Sequence, residues 1–416
     1  MADLWRNNRV VFGAEATDWA ALQAEGEARY GAAAALAARR VAFVVEGVRG
    51  AFAAVAYGMA FELDWGVIEA SRLTPDVEAR FDSHGVALIG PDGTVLNTPE
   101  PGEVQPGRIT VLTSGSTGLL KLIPHTADTL NTFDRLREMP PQAWFLPYQI
   151  GSYAWYQMVA LGLFVPDQTL VPGDIDDLAA SFAAALAGGG VTAISSTPTF
   201  WRYALMSIAP ETLAAAGLRN ISMGGEIVDQ AILDTLAALY PDARIRHIYA
   251  SSEAGAAIVV TDGRAGFDAA LLDRPGTIGV KVEDGRLFIR SPYATKAGGE
   301  DWIDTGDLVE RRGDRIHFCG RVGNTMINVG GNKAFPPDIE AHLMRHPDVV
   351  WAQVTARRAP LVGNLPVAAV VLRHPLAEET AEAMLAAHCE GALAEYAIPR
   401  MWEFLDRVPL KASLKS

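Results

Sequence analysis

Residues Thr113-Ser-Gly-Ser-Thr-Gly-Leu-Leu-Lys121 are the stretch of the chain that says most about its fold. They follow the run Ile109–Leu112, which predicts a strand, and they precede the amphipathic segment Thr126–Met139, which predicts a helix. Glycines let a backbone approach a phosphate chain, hydroxyl and amide hydrogens donate to phosphate oxygens, and Lys121 would neutralise their charge. The stretch therefore predicts a phosphate-binding loop, with a plain Ser/Gly-rich turn as the alternative.

The sequence on either side of this loop alternates between strand-like and helix-like segments. Runs such as Arg40–Val45 and Val191–Ser195 alternate with amphipathic segments such as Val228–Tyr240, a pattern typical of βαβ units with parallel sheets. After residue 276, short runs separated by Asp-Gly and Gly-Asp turns predict a small antiparallel unit, and a mixed pattern returns from residue 326. We therefore expect an α/β fold, in which a large N-terminal domain of doubly wound sheets and a small antiparallel β unit precede an α+β domain.

Composition restricts the partners of the protein. The chain has 416 residues, half of them hydrophobic, so we expect two or three domains. Its net charge is −14, so we expect neither a nucleic acid nor an anionic membrane as its partner. Cys319 and Cys389 offer no disulfide framework and no close metal-ligand spacing, which is typical of a reducing compartment. The N-terminus shows no signal peptide, and the charge-free stretch Met139–Pro166 contains four prolines. We interpret that stretch as buried core and pocket wall, and we expect a cytoplasmic enzyme without a membrane span.

Four further strings follow the loop in a recognisable order. They are Tyr249-Ala-Ser-Ser-Glu253, Asp304-Thr-Gly-Asp-Leu308, Gly320-Arg321 with the downstream Gly330-Gly331, and Tyr396-Ala-Ile-Pro-Arg400 followed by Val408-Pro-Leu-Lys-Ala-Ser-Leu-Lys415. Together with the loop, their order and spacing resemble the adenylate-forming superfamily of acyl- and aryl-CoA synthetases, nonribosomal-peptide adenylation domains and luciferases. The resemblance extends from about residue 105 to residue 416.

The resemblance implies a role for each matching residue. An aromatic ring at Tyr249 would cover adenine, a hydroxyl at Ser252 would hold the α-phosphate, Glu253 would bind Mg²⁺, Asp307 would accept from both ribose hydroxyls, and Arg321 would contact the nucleotide. The implied catalytic residues are Lys121, Ser252, Glu253 and Lys415, with Glu253 as the metal ligand. The implied cofactor-binding residues are Thr113, Ser114, Gly115, Ser116, Thr117, Gly118, Gly225, Glu226, Tyr249, Ser251, Asp307 and Arg321.

The chain departs from the superfamily pattern near its C-terminal domain. The superfamily's C-terminal lysine aligns with Lys415, although Lys411 competes for the role. The hinge segment is one residue longer than usual, which leaves Gly323 and Asn324 as alternative pivots. By resemblance, residues 1–319 form the nucleotide- and acid-binding domain, residues 320–325 the hinge, and residues 326–416 a mobile cap.

The segment after the loop carries information about the acid substrate. Amino-acid-activating relatives place an aspartate about 30 residues past the loop, whereas Pro147–Trp155 contains no acidic residue. Because an unpaired ammonium is costly to bury, we expect a carboxylic acid without an α-amine. The predicted substrate pocket consists of Tyr148, Gln149, Tyr153, Trp155, Phe200 and Gly224, and ordinary core packing is the alternative for each aromatic residue.

The resemblance implies ATP-dependent activation of an aryl or medium acyl acid to an acyl-adenylate, followed by thioester formation with CoA. The cofactors implied are ATP, Mg²⁺ and CoA. A stand-alone enzyme that loads a carrier protein, and a nucleotide-binding relative without activity, remain alternatives. The sequence leaves both a monomer and a homodimer open.

Overall fold

We describe the protein from a computed structural model, which covers residues 7–31, 35–36, 38–114, 120–133, 139–272, 274–295, 301–322, 326–359 and 363–409. The chain forms two compact units, each assembled from separate stretches of sequence. The first consists of residues 1–195, 252–256 and 292–299, and the second of residues 196–251, 257–291 and 300–416. The boundaries predicted for the hinge and cap stay a prediction.

The described helices of four residues or more are short to medium in length. Their bounds are α1 Trp19–Tyr30, α2 Gly47–Ala60, α3 Pro75–Asp82, α4 Ala127–Leu130, α5 Tyr153–Phe164, α6 Leu178–Ala187, α7 Pro198–Ser207, α8 Pro210–Ala214, α9 Gln230–Leu239, α10 Pro336–Leu343 and α11 Glu378–Cys389. Polar caps start many of them: Ser152 accepts from the Trp155 amide at the start of α5, and Thr197 accepts from the Phe200 amide at the start of α7. No helix of the described residues is long and apolar enough to cross a membrane.

The strands alternate with these helices through most of the chain. Their bounds are β1 Arg9–Phe12, β2 Glu15–Asp18, β3 Arg40–Val45, β4 Asp64–Glu69, β5 Val86–Ile89, β6 Ile109–Ser114, β7 Leu120–His125, β8 Gln142–Leu146, β9 Gln168–Pro172, β10 Ala193–Ser196, β11 Asn220–Gly224, β12 Arg244–Ser251, β13 Gly255–Val260, β14 Phe267–Asp268, β15 Gly279–Glu283, β16 Arg286–Arg290, β17 Ile303–Arg312, β18 Arg315–Arg321, β19 Ile327–Val329, β20 Asn332–Ala334, β21 Val349–Ala359, β22 Gly363–Leu372 and β23 Met401–Leu405.

The first unit contains two mostly parallel sheets. One has the order β5-β3-β4-β6-β7, in which β6 and β7 pair antiparallel and the other described neighbours pair parallel, and the other includes the order β10-β8-β9-β1-β2. Helices α2 and α5 contribute to a core in which Phe52 packs against Trp155, with ring centroids 5.6 Å apart. Most residues of α5 are buried, so this part of the charge-free stretch Met139–Pro166 contributes to the core.

The second unit contains the small antiparallel sheet and the C-terminal α+β domain. Its five-stranded antiparallel sheet has the order β14-β18-β17-β16-β15, and the C-terminal sheet has the order β20-β19-β22-β21 with β23 alongside β22. The predicted α/β fold with a small antiparallel unit is therefore confirmed.

Two helix predictions need correction. Strand β7 begins at Leu120, within the stretch Thr113–Lys121, and pairs antiparallel with Ile109–Ser114, so a strand and not a helix comes directly after the loop. In Thr126–Met139, helix α4 ends at Leu130, and residues 134–138 lie outside the described residues.

Candidate active site

The predicted phosphate-binding loop connects the two strands of a hairpin in the first unit. Thr113 on β6 lies opposite Lys121 on β7, and Ser114 lies opposite Leu120. The central loop residues Gly115, Ser116, Thr117 and Gly118 lie outside the described residues. The side chain of Lys121 is exposed at the base of this loop, so its ammonium is available to an anion there.

The turn after β12 positions Ser252 and Glu253, also in the first unit. The Glu253 carbonyl accepts a hydrogen bond from the Thr295 amide at 3.1 Å. Gly255 has a φ of +78°, and a Cβ there would lie 2.6 Å from Cβ of Tyr293, so only glycine fits this close approach. The neighbouring segment thus fixes the turn that carries Glu253.

The carboxylate of Glu253 is suited to coordinate a magnesium ion. It is half-buried and makes no side-chain hydrogen bond or ion pair with any described residue. A hard carboxylate oxygen suits Mg²⁺, which usually binds one or two carboxylates and keeps waters and substrate phosphates as its other ligands. The described residues contain no cluster of three or more His, Cys, Asp or Glu side chains that could hold a metal without such a substrate.

A second group of site residues lies together in the second unit, on β12, β17 and β18. The Tyr249 hydroxyl donates to Oδ2 of Asp307 at 2.5 Å, and its ring stacks on Phe318 with centroids 4.9 Å apart and planes 17° apart. Burial, reinforced by the Asp307 carboxylate, raises the pKa of Tyr249, so the phenol keeps its proton and remains a donor. The hydroxyl of Tyr249 therefore fixes the position of the Asp307 carboxylate.

The turn Asp304-Thr-Gly-Asp307 orients the carboxylate of Asp307. Gly306 has a φ of +75°, and the Thr305 hydroxyl accepts a hydrogen bond from the Asp307 amide at 3.1 Å. Arg321 lies opposite Asp307 across the β17–β18 pair, with its Nε 3.9 Å from Oδ1, and donates to the Thr305 carbonyl at 3.1 Å. The motif residues Asp307 and Arg321, which are distant in sequence, are thus neighbours in space.

The Gly224-Gly225-Glu226 segment follows β11 in the second unit. A Cβ at Gly224 would lie 2.8 Å from the Ile248 carbonyl, and Gly225 has a φ of +80°. Glu226 accepts hydrogen bonds from the backbone amide and the hydroxyl of Thr199, at 3.1 and 3.0 Å. The carboxylate therefore binds the N-terminal turn of α7, a contact that the sequence pattern did not indicate.

The residues predicted for the acid pocket differ in their surroundings. Trp155 and Phe200 are fully buried core residues of α5 and α7. Tyr148, Gln149 and Tyr153 are only partly buried, and the Tyr148 hydroxyl lies 3.0 Å from the hydroxyl of Ser195.

The structure divides the predicted site residues between its two units. The first contains Thr113, Ser114, Lys121, Tyr148, Gln149, Tyr153, Trp155, Ser252 and Glu253. The second contains Phe200, Gly224, Gly225, Glu226, Tyr249, Ser251, Asp307 and Arg321. Lys415, Lys411 and the two alternative hinge pivots lie outside the described residues.

Sequence reasoning missed His125, Thr199 and Phe318. His125 ends β7 and is buried, with Nδ1 3.1 Å from the Thr129 hydroxyl, and burial lowers the pKa of its imidazole to about 4. None of the three belongs to a motif string.

Comparison with known proteins gives two family matches that together span most of the chain. Residues 35–304 match the AMP-binding enzyme family, and residues 338–415 match the C-terminal domain of AMP-binding enzymes. The chain belongs to the AMP-binding enzyme family. The predicted membership of the adenylate-forming superfamily is thereby confirmed.

This AMP-binding enzyme spans only about a quarter to a half of the length of the curated relatives that it matches. A 2-succinylbenzoate–CoA ligase of Bacillus licheniformis is 29% identical over 35% of this chain and 32% of its own. Another, of Bacillus cereus, is 27% identical over 56% of this chain and 51% of its own. A sulfoacetate–CoA ligase of Cupriavidus necator is 31% identical over 29% of this chain and 24% of its own.

Solved structures share the fold of this AMP-binding enzyme. The anthranilate CoA ligase AuaEII in complex with anthranoyl-AMP superposes with a TM-score of 0.75 and 17% identity, covering 100% of this chain and 93% of the other. ATP-bound MatB from Rhodopseudomonas palustris gives a TM-score of 0.74 and 18% identity, covering 98% and 93%. At these identities the likeness establishes the fold.

Proposed function

We propose that the protein uses ATP to convert a carboxylic acid without an α-amine into an acyl-adenylate, and then transfers the acyl group to the thiol of CoA. The observation that carries this proposal is the Asp307 carboxylate, which the Tyr249 hydroxyl holds next to Arg321 in a chain of the AMP-binding family. A fixed carboxylate beside an aromatic ring and a guanidinium suits a ribose, a base and a phosphate.

The adenylation step needs positioning more than acid–base chemistry. A carboxylate is already ionised at neutral pH, so its oxygen attacks the α-phosphorus without a general base, and pyrophosphate leaves. Catalysis then comes from alignment and from neutralising charge in the in-line transition state. The exposed Lys121 beside the loop, and Lys415 in the C-terminal segment, are the cations we assign to this task.

Ser252 and Glu253 would act next to the reacting phosphate. The Ser252 hydroxyl would donate to an α-phosphate oxygen, and Glu253 would bind Mg²⁺ through its carboxylate, which pairs with no described side chain. When bound, Mg²⁺ would neutralise charge on the phosphate oxygens. The contact of the Glu253 carbonyl with the Thr295 amide keeps this turn in place.

The names of the relatives support CoA as the acceptor. Those matched here are named as 2-succinylbenzoate–CoA and sulfoacetate–CoA ligases, although the chain spans only about a quarter to a half of their length. Both cysteines are free and buried, which supports work in the reducing cytoplasm. We also propose that the chain is divided into a nucleotide-binding body, a hinge at residues 320–325 and a mobile cap.

Pyrophosphate exchange tests the proposal directly. The full chain is incubated with ATP, Mg²⁺ and labelled pyrophosphate over a panel of aryl and straight-chain acids, and label should enter ATP only with particular acids. Adding CoA should then give a thioester detectable by mass spectrometry, whereas a phosphopantetheinyl carrier protein should remain unloaded. The absence of exchange with every acid would overturn the adenylation step, and loading of the carrier instead of CoA would overturn the acceptor.

A further inference from the structure

The second unit contains a cavity of about 680 Å³, formed by helices α7, α8 and α9 together with Arg373 and residues of the segment 344–350, which leads into strand β21. Ligand-binding pockets typically have volumes of about 300–1,000 Å³. None of the described residues that line this cavity belongs to the predicted adenylation site. The cavity is therefore a candidate for a second binding site.

Specific contacts hold the walls of the cavity in place. Arg202 of α7 forms an ion pair with the buried Asp229, whose side chain caps the N-terminus of α9. Tyr203 of α7 packs against a hydrophobic cluster of the C-terminal domain that contains the buried Trp351. The helices and the C-terminal domain thus meet around the cavity within one compact unit.

Much of the cavity wall is apolar. The apolar side chains come from all three helices and from the start of β21, and they include Leu205, Leu213, Ile232, Leu239, Val349 and Val350. Such a wall favours the apolar part of a ligand, because burying apolar surface stabilises a complex by about 25 cal/mol per Å². A fully hydrophilic ligand would leave this contribution unused.

The charged groups of the cavity are mostly cationic, although the chain as a whole has a net charge of −14. Three arginines line it, Arg202, Arg345 and Arg373, against one carboxylate, that of Asp234. Oδ1 of Asp234 accepts from the side-chain amide of Gln230 at 2.8 Å. The cavity therefore favours an anion electrostatically.

Two of these arginines have donors left for a ligand. The guanidinium of Arg345 makes no hydrogen bond or ion pair with any described residue, and that of Arg373 makes only a bond from Nε to the Pro347 carbonyl, at 3.3 Å. Both side chains are exposed, so a ligand can reach them. A guanidinium donates two parallel hydrogen bonds to a carboxylate or a phosphate, which a neutral head group cannot match.

His346 also lines the cavity but does not supply its charge. Burial lowers the pKa of His346, and the nearby His388 lowers it further, so the ring is neutral at neutral pH. Nδ1 of His346 accepts from the Asp348 amide at 3.2 Å. The arginines are therefore the groups that select an anion.

We propose that this cavity binds an amphipathic oxyanion, a carboxylate or phosphate ester whose head group pairs with Arg345 and Arg373 and whose apolar chain lies against helices α7, α8 and α9. The inference goes beyond the proposed function, because the cavity shares no described residue with the groups assigned to acid activation. A ligand that contacts both the helices and the segment 344–350 stabilises their packing, so it also stabilises the folded protein.

Calorimetry on the full chain tests the ligand class. Four probes separate the head group from the chain: decanoate and decyl phosphate carry both, decanol carries the chain alone, and inorganic phosphate carries the head group alone. Decanoate or decyl phosphate should bind at least about 10-fold more tightly than either partial probe. Equal binding of decanol or inorganic phosphate, or no binding of the two amphipathic probes, would overturn the proposal.

Arginine variants assign the head group to its partners. The double variant Arg345→Gln with Arg373→Gln should raise the Kd of the amphipathic probes by about 10-fold or more. Arg357→Gln with Arg358→Gln is the matched control, since it removes two exposed positive charges from the same domain at positions that do not line the cavity. Equal weakening by the two double variants would mean that net charge explains the binding.

A filling variant locates the chain, because decanoate could also bind elsewhere in the protein. Thr235 is exposed on α9 and lines the cavity, so Thr235→Trp should abolish binding and the rise in melting temperature that the amphipathic probes cause. Ala238→Trp places the same side chain at an exposed position of α9 outside the cavity lining, and it should bind as the wild type does. Unchanged binding by Thr235→Trp would overturn the proposal, whatever acid the protein activates.

Discussion

Asp307 is the residue whose surroundings argue most directly for nucleotide binding. Its carboxylate accepts from Tyr249, lies near Arg321, and is aimed by a glycine of positive φ. Two charge-assisted hydrogen bonds to ribose hydroxyls would be lost or weakened in Asp307→Asn. We expect this variant to raise the Kd for ATP by about 10- to 100-fold, measured by isothermal titration calorimetry.

A matched control for this prediction lies on the same strand. Glu310 is exposed on β17 and pairs with Arg312. Glu310→Gln removes one negative charge from the strand as Asp307→Asn does, and it should leave the Kd for ATP unchanged. Equal weakening by the two variants would mean that net charge, and not a ribose contact, explains the effect.

The C-terminal lysine gives a second prediction at this scale. Lys415→Ala should slow adenylation strongly and leave ATP binding nearly intact, because the role assigned to this lysine is to neutralise charge that develops in the transition state. Pyrophosphate exchange and calorimetry measure the two quantities separately, and Lys411→Ala provides the comparison. Normal exchange in Lys415→Ala with loss in Lys411→Ala would transfer the role to Lys411.

Motif strings predicted some site residues, and physical contacts revealed others. The resemblance predicted Tyr249, Asp307 and Arg321, which the structure brings together because β17 and β18 pair in register. It gave no indication of Phe318 or His125, since an aromatic residue on a strand and a single histidine are common in protein cores. Their contacts became visible only through packing between segments distant in sequence.

At the scale of elements, the segment after the phosphate loop illustrates the limit of periodicity. Thr126 and Thr129 form a capping box that starts α4, as expected for a helix. The helix nevertheless ends at Leu130, since Asn131 takes a non-helical conformation. The preceding Leu120–His125 forms a strand because β6 is available as a partner, which local sequence alone does not indicate.

The N-terminus of α7 provides a prediction for this scale. Glu226 accepts from both the amide and the hydroxyl of Thr199, whose side chain is buried, so Glu226→Ala leaves two donors without a partner. We expect the free energy of unfolding to fall by about 1–3 kcal/mol, measured by chemical denaturation. Glu211→Ala, which removes an exposed acid from the first turn of α8, should change it by less than about 0.5 kcal/mol. Equal effects would show that the Thr199 contacts contribute little.

At the scale of the whole molecule, the sequence predicted the class of fold but not its assembly. The alternation of strand-like and helix-like segments reflects local burial, and this pattern was enough to predict an α/β fold with an antiparallel unit. Each compact unit, however, combines stretches that are far apart in the chain. Which stretches pack together depends on the complementarity of their surfaces, and a periodic hydrophobic pattern does not encode that complementarity.

The packing of the C-terminal domain within the second unit makes the stability of the protein depend on pH. Glu340 of α10 is largely buried, and its carboxyl accepts from the Val354 amide at 2.7 Å. Burial raises its pKa to about 7, nearby Arg202 lowers it, and Glu226 raises it further. Because the raised pKa favours the protonated folded state, this stabilisation is complete below about pH 4.5 and is lost as the pH rises through about 7.

Glu340→Gln isolates this contribution, because glutamine keeps an oxygen for the Val354 amide but cannot ionise. The free energy of unfolding of Glu340→Gln, minus that of the wild type, should increase by about 2–3 kcal/mol between pH 5 and pH 8. Denaturant unfolding at several pH values measures it, with Glu382→Gln on the exposed side of α11 as the baseline. A difference that stays constant with pH would mean that Glu340 ionises as readily in the folded as in the unfolded chain. A rising difference would mean that packing α10 near Arg202 and Glu226 requires a proton on Glu340, and that this part of the second unit loosens as the pH rises above 7.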